Sequence, residues 1–136
     1  MDRATVGVYA AHGEQWAAKA RPVRAAAARS FAAAVPAGGV TLDVGCGTGR
    51  YTGALGGRVV GLDAAGTMLA RCRDSHPGSV LVQGDLEALP FGTGRLQGAW
   101  ANMAYHHVPA VRLPMALFDL HRALAPGAVL DLPTVE

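Results

Sequence analysis

The stretch TLDVGCGTGRY, residues 41–51, constrains the fold of this chain more than any other. An apolar run from Val40 to Val44 ends in three alternate glycines, Gly45, Gly47 and Gly49, ahead of a segment that can begin a helix. Glycine lacks a β-carbon, so the chain can bend sharply, adopt positive φ and let a ligand touch the backbone. A following helix would present unpaired N–H groups to an anion. The pattern predicts either an anion-binding turn or a tight structural turn without a ligand.

The rest of the sequence repeats this order of strand and helix. Strands are predicted at 40–44, 58–62, 79–83, 96–101 and 128–132, and helices at 50–55, 66–73 and 114–124. Apolar strands separated by helices predict a parallel sheet covered on both faces. The predicted fold class is therefore α/β, a doubly wound Rossmann-like sheet. Alanine-rich residues 14–34 predict an N-terminal helical arm, so we expect an arm over 1–39 and a core over 40–136.

Length and composition exclude several classes of protein. A chain of 136 residues with 51% hydrophobic and 16% charged residues is typical of one globular domain. Twelve basic residues nearly balance ten acids, so the charge indicates no nucleic-acid surface. Cys46 and Cys72 form neither a disulfide framework nor a metal-ligand pattern, which predicts a reducing compartment and no bound metal. The sequence shows no apolar leader and no membrane-length stretch, so we expect a cytoplasmic protein.

Polar residues follow the predicted strands, at the edge where doubly wound sheets bind ligands. Asp43, just before the turn, would repel a diphosphate but attract an ammonium group, which favours a zwitterionic ligand over a dinucleotide. The alternative for Asp43 is a buried acid bonded to backbone N–H groups. Asp63 has the spacing of an acid that binds a ribose diol, or it caps the next helix.

Gly84, Asp85 and Leu86 follow the third predicted strand. A carboxylate there can accept a hydrogen bond from an adenine amino group while an apolar neighbour covers the ring. The alternative is an ordinary turn, in which glycine and aspartate are common.

Together these stretches resemble the class I S-adenosylmethionine-dependent methyltransferases, particularly the branch with the ubiquinone and menaquinone methyltransferases. The matching segments are LDVGCGTG, GLDAAGTML, QGDLEALPF, WANMAYHHVP and LHRALAPGAVL. The resemblance implies a strand order of 3-2-1-4-5 and S-adenosylmethionine-dependent methylation of a small-molecule acceptor at O, N or C. The family normally continues into two further strands, six and seven, which are missing before Glu136. We therefore expect a truncated form of this fold.

The resemblance also implies the cofactor-binding residues, which are Tyr9, Asp43, Gly45, Cys46, Gly47, Gly49, Asp63, Ala64, Met68, Gly84, Asp85, Leu86 and Asn102. The three glycines of the turn would line the methionine portion, and Asp43 would orient its ammonium group. Asn102 would lie beside the sulfonium. Tyr9 would close over the cofactor.

The nucleoside end of the cofactor is assigned in the same way. Asp63 would hold the ribose, and Met68 would cover adenine. Asp85 would bond the adenine amino group, with Leu86 packed on the ring.

Methyl transfer from a sulfonium requires mainly that the acceptor be aligned with the methyl group. An acceptor that must lose a proton also needs a base, and His106 or His107 after the fourth strand is the candidate catalytic residue. The alternative is that both histidines serve packing or capping.

Other interpretations stay open at this stage. The pattern Gly47-x-Gly49-x-x-x-Gly53 also fits a loose NAD(P)-binding domain, against which Asp43 argues. A non-catalytic S-adenosylmethionine-binding subunit completed by a partner chain is a second alternative. Asn102 to Tyr105 distantly resembles the Asn-Pro-Pro-Tyr motif of nucleic-acid methyltransferases, but without its prolines, so a small metabolite is preferred. The fifth strand would be an apolar sheet edge, which we expect a second copy or another polypeptide to cover.

Overall fold

The computed structural model describes residues 2–7 and 24–133. Residues 3–7 form a short helical turn. The elements that follow it are α1 (Ala25–Ala34), β1 (Val40–Val44), β2 (Arg58–Asp63), α2 (Gly66–Ser75), β3 (Val80–Gln83), β4 (Leu96–Trp100), a 3₁₀ turn (Tyr105–His107), α3 (Leu113–Ala123) and β5 (Leu124–Asp131). The part of the predicted arm before Arg24 lies outside the described residues.

The five strands form one parallel sheet in the order β3-β2-β1-β4-β5. This confirms the predicted fold class and strand order. The central strand β1 pairs on both sides, with Asp43 opposite Gly61 of β2 and Trp100 of β4. Because parallel strands end at the same edge, the turn after β1 lies between the ends of β2 and β4.

The predicted helix over 50–55 is wrong, because residues 47–55 form successive turns. Their hydrogen bonds are mostly one residue shorter than helical ones, such as Thr52 N–H to Gly49 O at 3.3 Å and Ala54 N–H to Tyr51 O at 2.9 Å. So short a segment, bounded by glycines at positive φ, gains too few bonds to offset the cost of starting a helix. The turn therefore lacks the regular helix N-terminus that the sequence predicted.

The strand β5 begins earlier than predicted, at Leu124 rather than Ala128. Leu124 pairs with Leu96, and a register shift follows before Val129 pairs with Gly98. Gly127, at φ 78°, lies within this irregular stretch. A bulge of this kind lets an edge strand bend without losing its partner.

Two apolar clusters cover the faces of the sheet. One includes Leu42, Leu62 and Ala99 of the strands with Leu120 of α3. The other includes Phe31 of α1 and Trp100 of β4, whose ring centroids are 5.5 Å apart in an edge-to-face arrangement. The helix α1 thus packs directly on the sheet, close to β4.

We predict that Gly98→Ala destabilises the fold through this α1 contact. A β-carbon at Gly98 would lie 2.9 Å from Val35 Cγ2 and 3.1 Å from Phe31 Cζ, so the helix must shift. Overpacking of this kind costs about 1–3 kcal/mol of unfolding free energy, which urea denaturation measures. Gly7→Ala is the control, since nothing lies within 4 Å of a β-carbon there. Equal stability of the two variants would contradict the prediction.

Candidate functional site

The glycine turn has the backbone conformation that its sequence predicts. Gly45, Gly47 and Gly49 have φ of 64°, 56° and 86°, in the left-handed region that favours glycine. Gly45 is exposed and Gly47 half-buried, whereas Gly49 is buried. A β-carbon on Gly49 would lie 2.7 Å from both Cys72 Sγ and His76 Cδ2. Gly49 therefore allows the turn to pack on α2. Gly45 and Gly47 form the accessible surface of the turn.

The Asp63 carboxylate joins this turn to the end of β2. Its Oδ2 accepts a hydrogen bond from Gly47 N–H at 2.9 Å, and its Oδ1 accepts one from Ala65 N–H at 2.9 Å. The side chain is buried, and this burial raises its pKa. Each carboxylate oxygen can accept a further bond. Asp63 therefore caps the segment before α2 and still has acceptor capacity for a ligand hydroxyl.

The Asp43 carboxylate lies beneath the turn at the end of β1. It is buried, and its Oδ2 accepts a hydrogen bond from the Thr52 hydroxyl at 2.9 Å. Burial raises the pKa of Asp43 to about 7, although the Thr52 bond opposes this shift. Asp43 is therefore an acid that gains a proton readily, unless a cation lies close enough to hold it ionised.

The predicted adenine-side residues lie at the ends of β2 and β3. Asp85 Oδ1 accepts a hydrogen bond from Glu87 N–H at 2.8 Å, which makes the turn expected there. Leu86 and Met68 are buried, and a β-carbon on Gly47 would lie 3.4 Å from Met68 Cε. Met68 therefore borders the glycine turn.

Two smaller residues complete this side. The Ala64 carbonyl accepts a hydrogen bond from Gln83 Nε2 at 3.1 Å, which links the ends of β2 and β3. A β-carbon on Gly84 would lie 3.2 Å from Leu62 Cδ1 and 3.6 Å from Pro90 Cγ, so this glycine allows close packing of the loop.

The Cys46 thiol points away from the surface of the turn. A β-carbon on Gly61 of β2 would lie 3.0 Å from Cys46 Sγ, and Cys46 packs with Leu69 and Cys72. Only the backbone of Cys46 belongs to the turn, where its N–H donates to Leu62 O at 2.9 Å.

Arg24, the residue before α1, was not among the site residues predicted from the sequence. Arg24 Nη1 donates to Asn102 Oδ1 at 2.9 Å and to Asp131 Oδ1 at 2.9 Å, and Nη2 donates to Asp131 Oδ2 at 3.0 Å. The guanidinium lies 4.7 Å from the centroid of the Trp100 ring. The bond to Asp131 raises the pKa of Arg24. Arg24 thus fastens the start of α1 to the ends of β4 and β5.

The backbone of Arg24 makes a second attachment, because its N–H donates to the Tyr51 hydroxyl at 3.2 Å. Tyr51 follows the glycine turn directly. β1 and β4 pair as far as Asp43 and Trp100, and Asn102 follows β4 two residues beyond this pair. Arg24, which is ion-paired with Asp131, therefore lies on the β4 side of the turn region and reaches it through Tyr51. Nothing local in the alanine-rich sequence signals this contact across 78 residues to Asn102.

The two candidate bases lie on the 3₁₀ turn after β4. Their ring centroids are 3.9 Å apart, with His106 exposed and His107 half-buried. Burial and the neighbouring His106 ring lower the pKa of His107, so its imidazole is neutral at pH 7. Tyr9, the remaining predicted residue, lies outside the described residues.

A depression of about 690 Å³ opens at the opposite edge of the sheet. Its lining includes Val40, Arg58 and Val80 at the amino ends of three strands, with His76. It contains none of the predicted site residues. Within residues 2–7 and 24–133, no three His, Cys, Asp or Glu side chains are grouped to hold a metal. No helix in the described part of the chain is long and apolar enough to cross a membrane.

Comparison with known proteins identifies the family. A family model described as a methyltransferase domain matches residues 42–131, two thirds of the chain, and the chain belongs to this family. This confirms the resemblance found in the sequence.

Two relatives and one solved structure illustrate the similarity. A malonyl-[acyl-carrier protein] O-methyltransferase of Pectobacterium atrosepticum is 36% identical over 97 residues, covering 69% of this chain and 38% of the relative. A 2-phytyl-1,4-naphtoquinone methyltransferase of Thermosynechococcus vestitus is 39% identical over 109 residues, covering 71% and 48%. The structure titled DhpI-SAH complex aligns with a TM-score of 0.72 at 25% identity, covering 92% of this chain and 64% of that one. The chain spans about half the length of the curated relatives, or less.

We predict that Asp43 makes stability depend on pH. Its pKa of about 7 when folded exceeds the ordinary value of 3.8, so the folded chain holds the proton more tightly. The protonated carboxyl of Asp43 therefore stabilises the fold below pH 4, and this stabilisation is lost as the pH rises through 7. Between pH 4 and pH 8, the unfolding free energy of Asp43→Asn should rise by about 3–4 kcal/mol relative to that of the wild type, at 1.36 kcal/mol per pKa unit. Urea denaturation across this range measures the difference, and a pH-independent difference would contradict the assignment.

We also predict that Asp63→Asn loosens the glycine turn. The carboxylate accepts hydrogen bonds from two backbone N–H groups, one on each oxygen. In asparagine an NH₂ group replaces one of these oxygens, so one backbone N–H faces a donor and loses its bond. The loss of such a bond at a buried site costs about 1–3 kcal/mol of unfolding free energy. Asp74→Asn, an exposed acid in α2, controls for the change of charge. The interpretation is wrong if both variants are equally stable in urea.

Proposed function

We propose that this chain binds S-adenosylmethionine and transfers its methyl group to a small-molecule acceptor. The observation that carries the proposal is the Asp63 carboxylate bound to Gly47 N–H, at the carboxyl ends of β1 and β2, next to the reversal of strand order between β1 and β4. An acid with remaining acceptor capacity and a bare glycine backbone are thereby held together. Doubly wound sheets bind nucleotides at this position.

The charges around the turn support a zwitterionic ligand. Asp43 lies beneath it at the end of β1, and Arg24 borders it from the side of β4. An ammonium group near Asp43 would keep that acid ionised, and a carboxylate near Arg24 would find a guanidinium whose orientation Asp131 already fixes. A dinucleotide would bring two negative charges to the buried acid instead. The residues present therefore fit the amino-acid end of S-adenosylmethionine.

The adenosine end has matching groups. Asp63 is available to accept from the ribose hydroxyls, with Ala64 beside it. Asp85 would accept a hydrogen bond from the adenine amino group, and Gly84 leaves room for the chain to turn beside it. Met68, which borders the glycine turn, and Leu86 would cover the ring. Cys46 and Gly49 support the turn from below, whereas Gly45 and Gly47 present its backbone.

The chemistry requires little from the protein beyond alignment. S-adenosylmethionine, when bound, supplies an activated methyl group on a sulfonium. Asn102, oriented by Arg24, borders the end of the turn where the methyl group is expected. His107 is neutral at pH 7 and can accept a proton from an acceptor hydroxyl or carbon acid, with His106 as the exposed alternative.

Calorimetric titration tests the cofactor. S-adenosylhomocysteine, the product form, should bind the purified chain, and NADH should not. Binding of NADH alone would favour the dinucleotide domain instead. Methyl transfer from S-adenosylmethionine to any acceptor by the chain alone would exclude the alternative of a non-catalytic S-adenosylmethionine-binding subunit.

We predict that Arg24→Met selectively weakens the binding of a ligand that carries a carboxylate. Charge-assisted hydrogen bonds contribute about 1.5–3 kcal/mol, so affinity for S-adenosylhomocysteine should fall about 10- to 100-fold. Affinity for methylthioadenosine, which lacks the amino-acid end, should stay unchanged. Arg29→Met, an exposed arginine of the same helix, is the control. Equal losses for both ligands would show that Arg24 acts only through the fold.

The acceptor, partners and location complete the proposal. The relatives named above support a small molecule, free or carried on a protein, and the near balance of twelve basic and ten acidic residues gives no support to nucleic acid. Two free, buried cysteines are consistent with a cytoplasmic protein. We retain the division into an N-terminal arm over 1–39 and a cofactor-binding core over 40–136.

The strand β5, one of the two edge strands of the sheet, is our proposed contact with another polypeptide. It ends the sheet in the described part of the chain, and Leu130 is 45% exposed. An apolar edge strand favours pairing with a second copy or a separate chain. Sedimentation of the purified protein as a monomer, with no partner recovered, would count against this pairing.

A further inference from the structure

The two cysteines of the chain meet directly beneath the cofactor turn. Cys46 and Cys72 are both free and buried, and they pack with Leu69 and Leu81 in one cluster. Each thiol affects the pKa of the other, and the Cys46 thiol donates to the Gly47 carbonyl, with Sγ 3.8 Å from the oxygen. The contact joins Cys46, between Gly45 and Gly47, to the middle of α2.

This thiol pair connects to the acid of the site. The Thr52 hydroxyl bonds to Cys72 and donates to Asp43 Oδ2 at 2.9 Å. The His76 ring flanks the same place, because a β-carbon on Gly49 would meet Cys72 Sγ and His76 Cδ2 at equal distances of 2.7 Å. His76 also bonds to the Gly49 carbonyl at 2.8 Å. The thiols are therefore part of the packing that shapes the turn.

The surroundings shift the pKa values of the two thiols in opposite directions. The neighbouring Cys46 thiol lowers the pKa of Cys72, and Thr52 and His76 lower it further. The same contact, with burial, raises the pKa of Cys46. A thiol with more thiolate character is the better nucleophile toward an oxidant, and its neighbour is then placed to resolve the product. Cys72 is fully buried, so its oxidation requires a local opening of the turn to admit the peroxide.

We propose that Cys46 and Cys72 are an oxidation site, at which a peroxide closes a disulfide that distorts the glycine turn and weakens cofactor binding. The effect on binding rests on the proposed function, whereas the disulfide itself does not. Regulatory disulfides of this reversible kind occur in reducing compartments.

The reaction balances with hydrogen peroxide as the oxidant. The Cys72 thiolate attacks one peroxide oxygen, which breaks the O–O bond, leaves hydroxide and forms a sulfenic acid. The Cys46 thiol then attacks that sulfur and forms the S–S bond, and its proton leaves with the hydroxyl of the sulfenic acid as water, while the first hydroxide takes up the proton that Cys72 lost on ionising. Two thiols and one peroxide thus give one disulfide and two waters.

The disulfide would distort the turn because hydrogen bonds hold the backbone of the turn in place. The two sulfurs must approach to about 2.05 Å. Cys46 is fixed by its backbone bond to Leu62, and Gly47 is fixed by its bond to Asp63. A pull on Cys46 toward α2 therefore shifts the two glycines that present the turn surface, and Thr52 loses its thiol partner.

Hydrogen peroxide treatment of the purified chain tests the proposal. We expect a product lighter by about 2 Da that regains its mass with dithiothreitol, as reversible thiol oxidation requires. Peptide mapping without reductant should recover residues 46 and 72 in one cross-linked pair. The affinity for S-adenosylhomocysteine should fall about tenfold or more on oxidation, a loss of about 1.4 kcal/mol, and recover on reduction.

Cys72→Ser is the matched variant, since a hydroxyl keeps a hydrogen-bond partner for Thr52. It should bind S-adenosylhomocysteine like the reduced wild type and keep that affinity after peroxide. A loss of affinity in this variant would assign the effect to methionine oxidation and overturn the proposal. Wild-type thiols that survive peroxide, or a cross-link that leaves affinity unchanged, would overturn it equally.

These readouts remain separable if the cofactor assignment fails. A reduced chain that binds no S-adenosylhomocysteine would refute the proposed function, while mass and peptide mapping still report whether the disulfide forms. If Cys72→Ser does not fold, the wild-type chain alone decides the question through the reversible cross-link and its effect on affinity.

Discussion

The bond between the Asp63 carboxylate and Gly47 N–H is the interaction on which the rest of the site depends. It spans the gap between β2 and the turn after β1, and the second oxygen of the same carboxylate caps the segment before α2. A turn without a regular helix has few bonds of its own to define its shape. The buried acid supplies that definition, because a carboxylate with two backbone donors has only a narrow range of positions.

The surroundings of the turn are divided by charge. Asp43 and Asp63 lie beneath and beside it in buried positions where burial raises both pKa values. Arg24 lies on the other side, held by Asp131 and stacked on Trp100. An acid on one side of the turn and a guanidinium on the other are the charges that the proposed zwitterionic ligand would require.

The three glycines of the turn have different structural roles, although the sequence does not distinguish them. Gly45 and Gly47 leave backbone at the surface, whereas Gly49 makes room for Cys72 and His76. The turn therefore has a ligand side and a packing side. The thiol pair lies on the packing side, which links the chemistry of two buried cysteines to the shape of the surface above them.

The sequence by itself determined the fold class, the strand order implied by the resemblance, and the end of each strand to within one residue. These features are local: apolar runs predict strands, glycines predict positive φ, and polar residues after parallel strands meet at one edge. It did not reveal that residues 50–55 lack a helix, because the cost of helix nucleation competes there with contacts made by Tyr51 and Thr52.

Only the tertiary structure decided the contacts between residues far apart in the chain. Arg24 reaches Asn102 and Asp131 across 78 and 107 residues, and Cys46 meets Cys72 because α2 packs beneath the turn. Such contacts leave no periodic or motif signal in the sequence, since either partner alone reads as an ordinary helix or turn residue. The packing of α1 and α2 against the sheet brings them together, and that packing is a property of the whole fold.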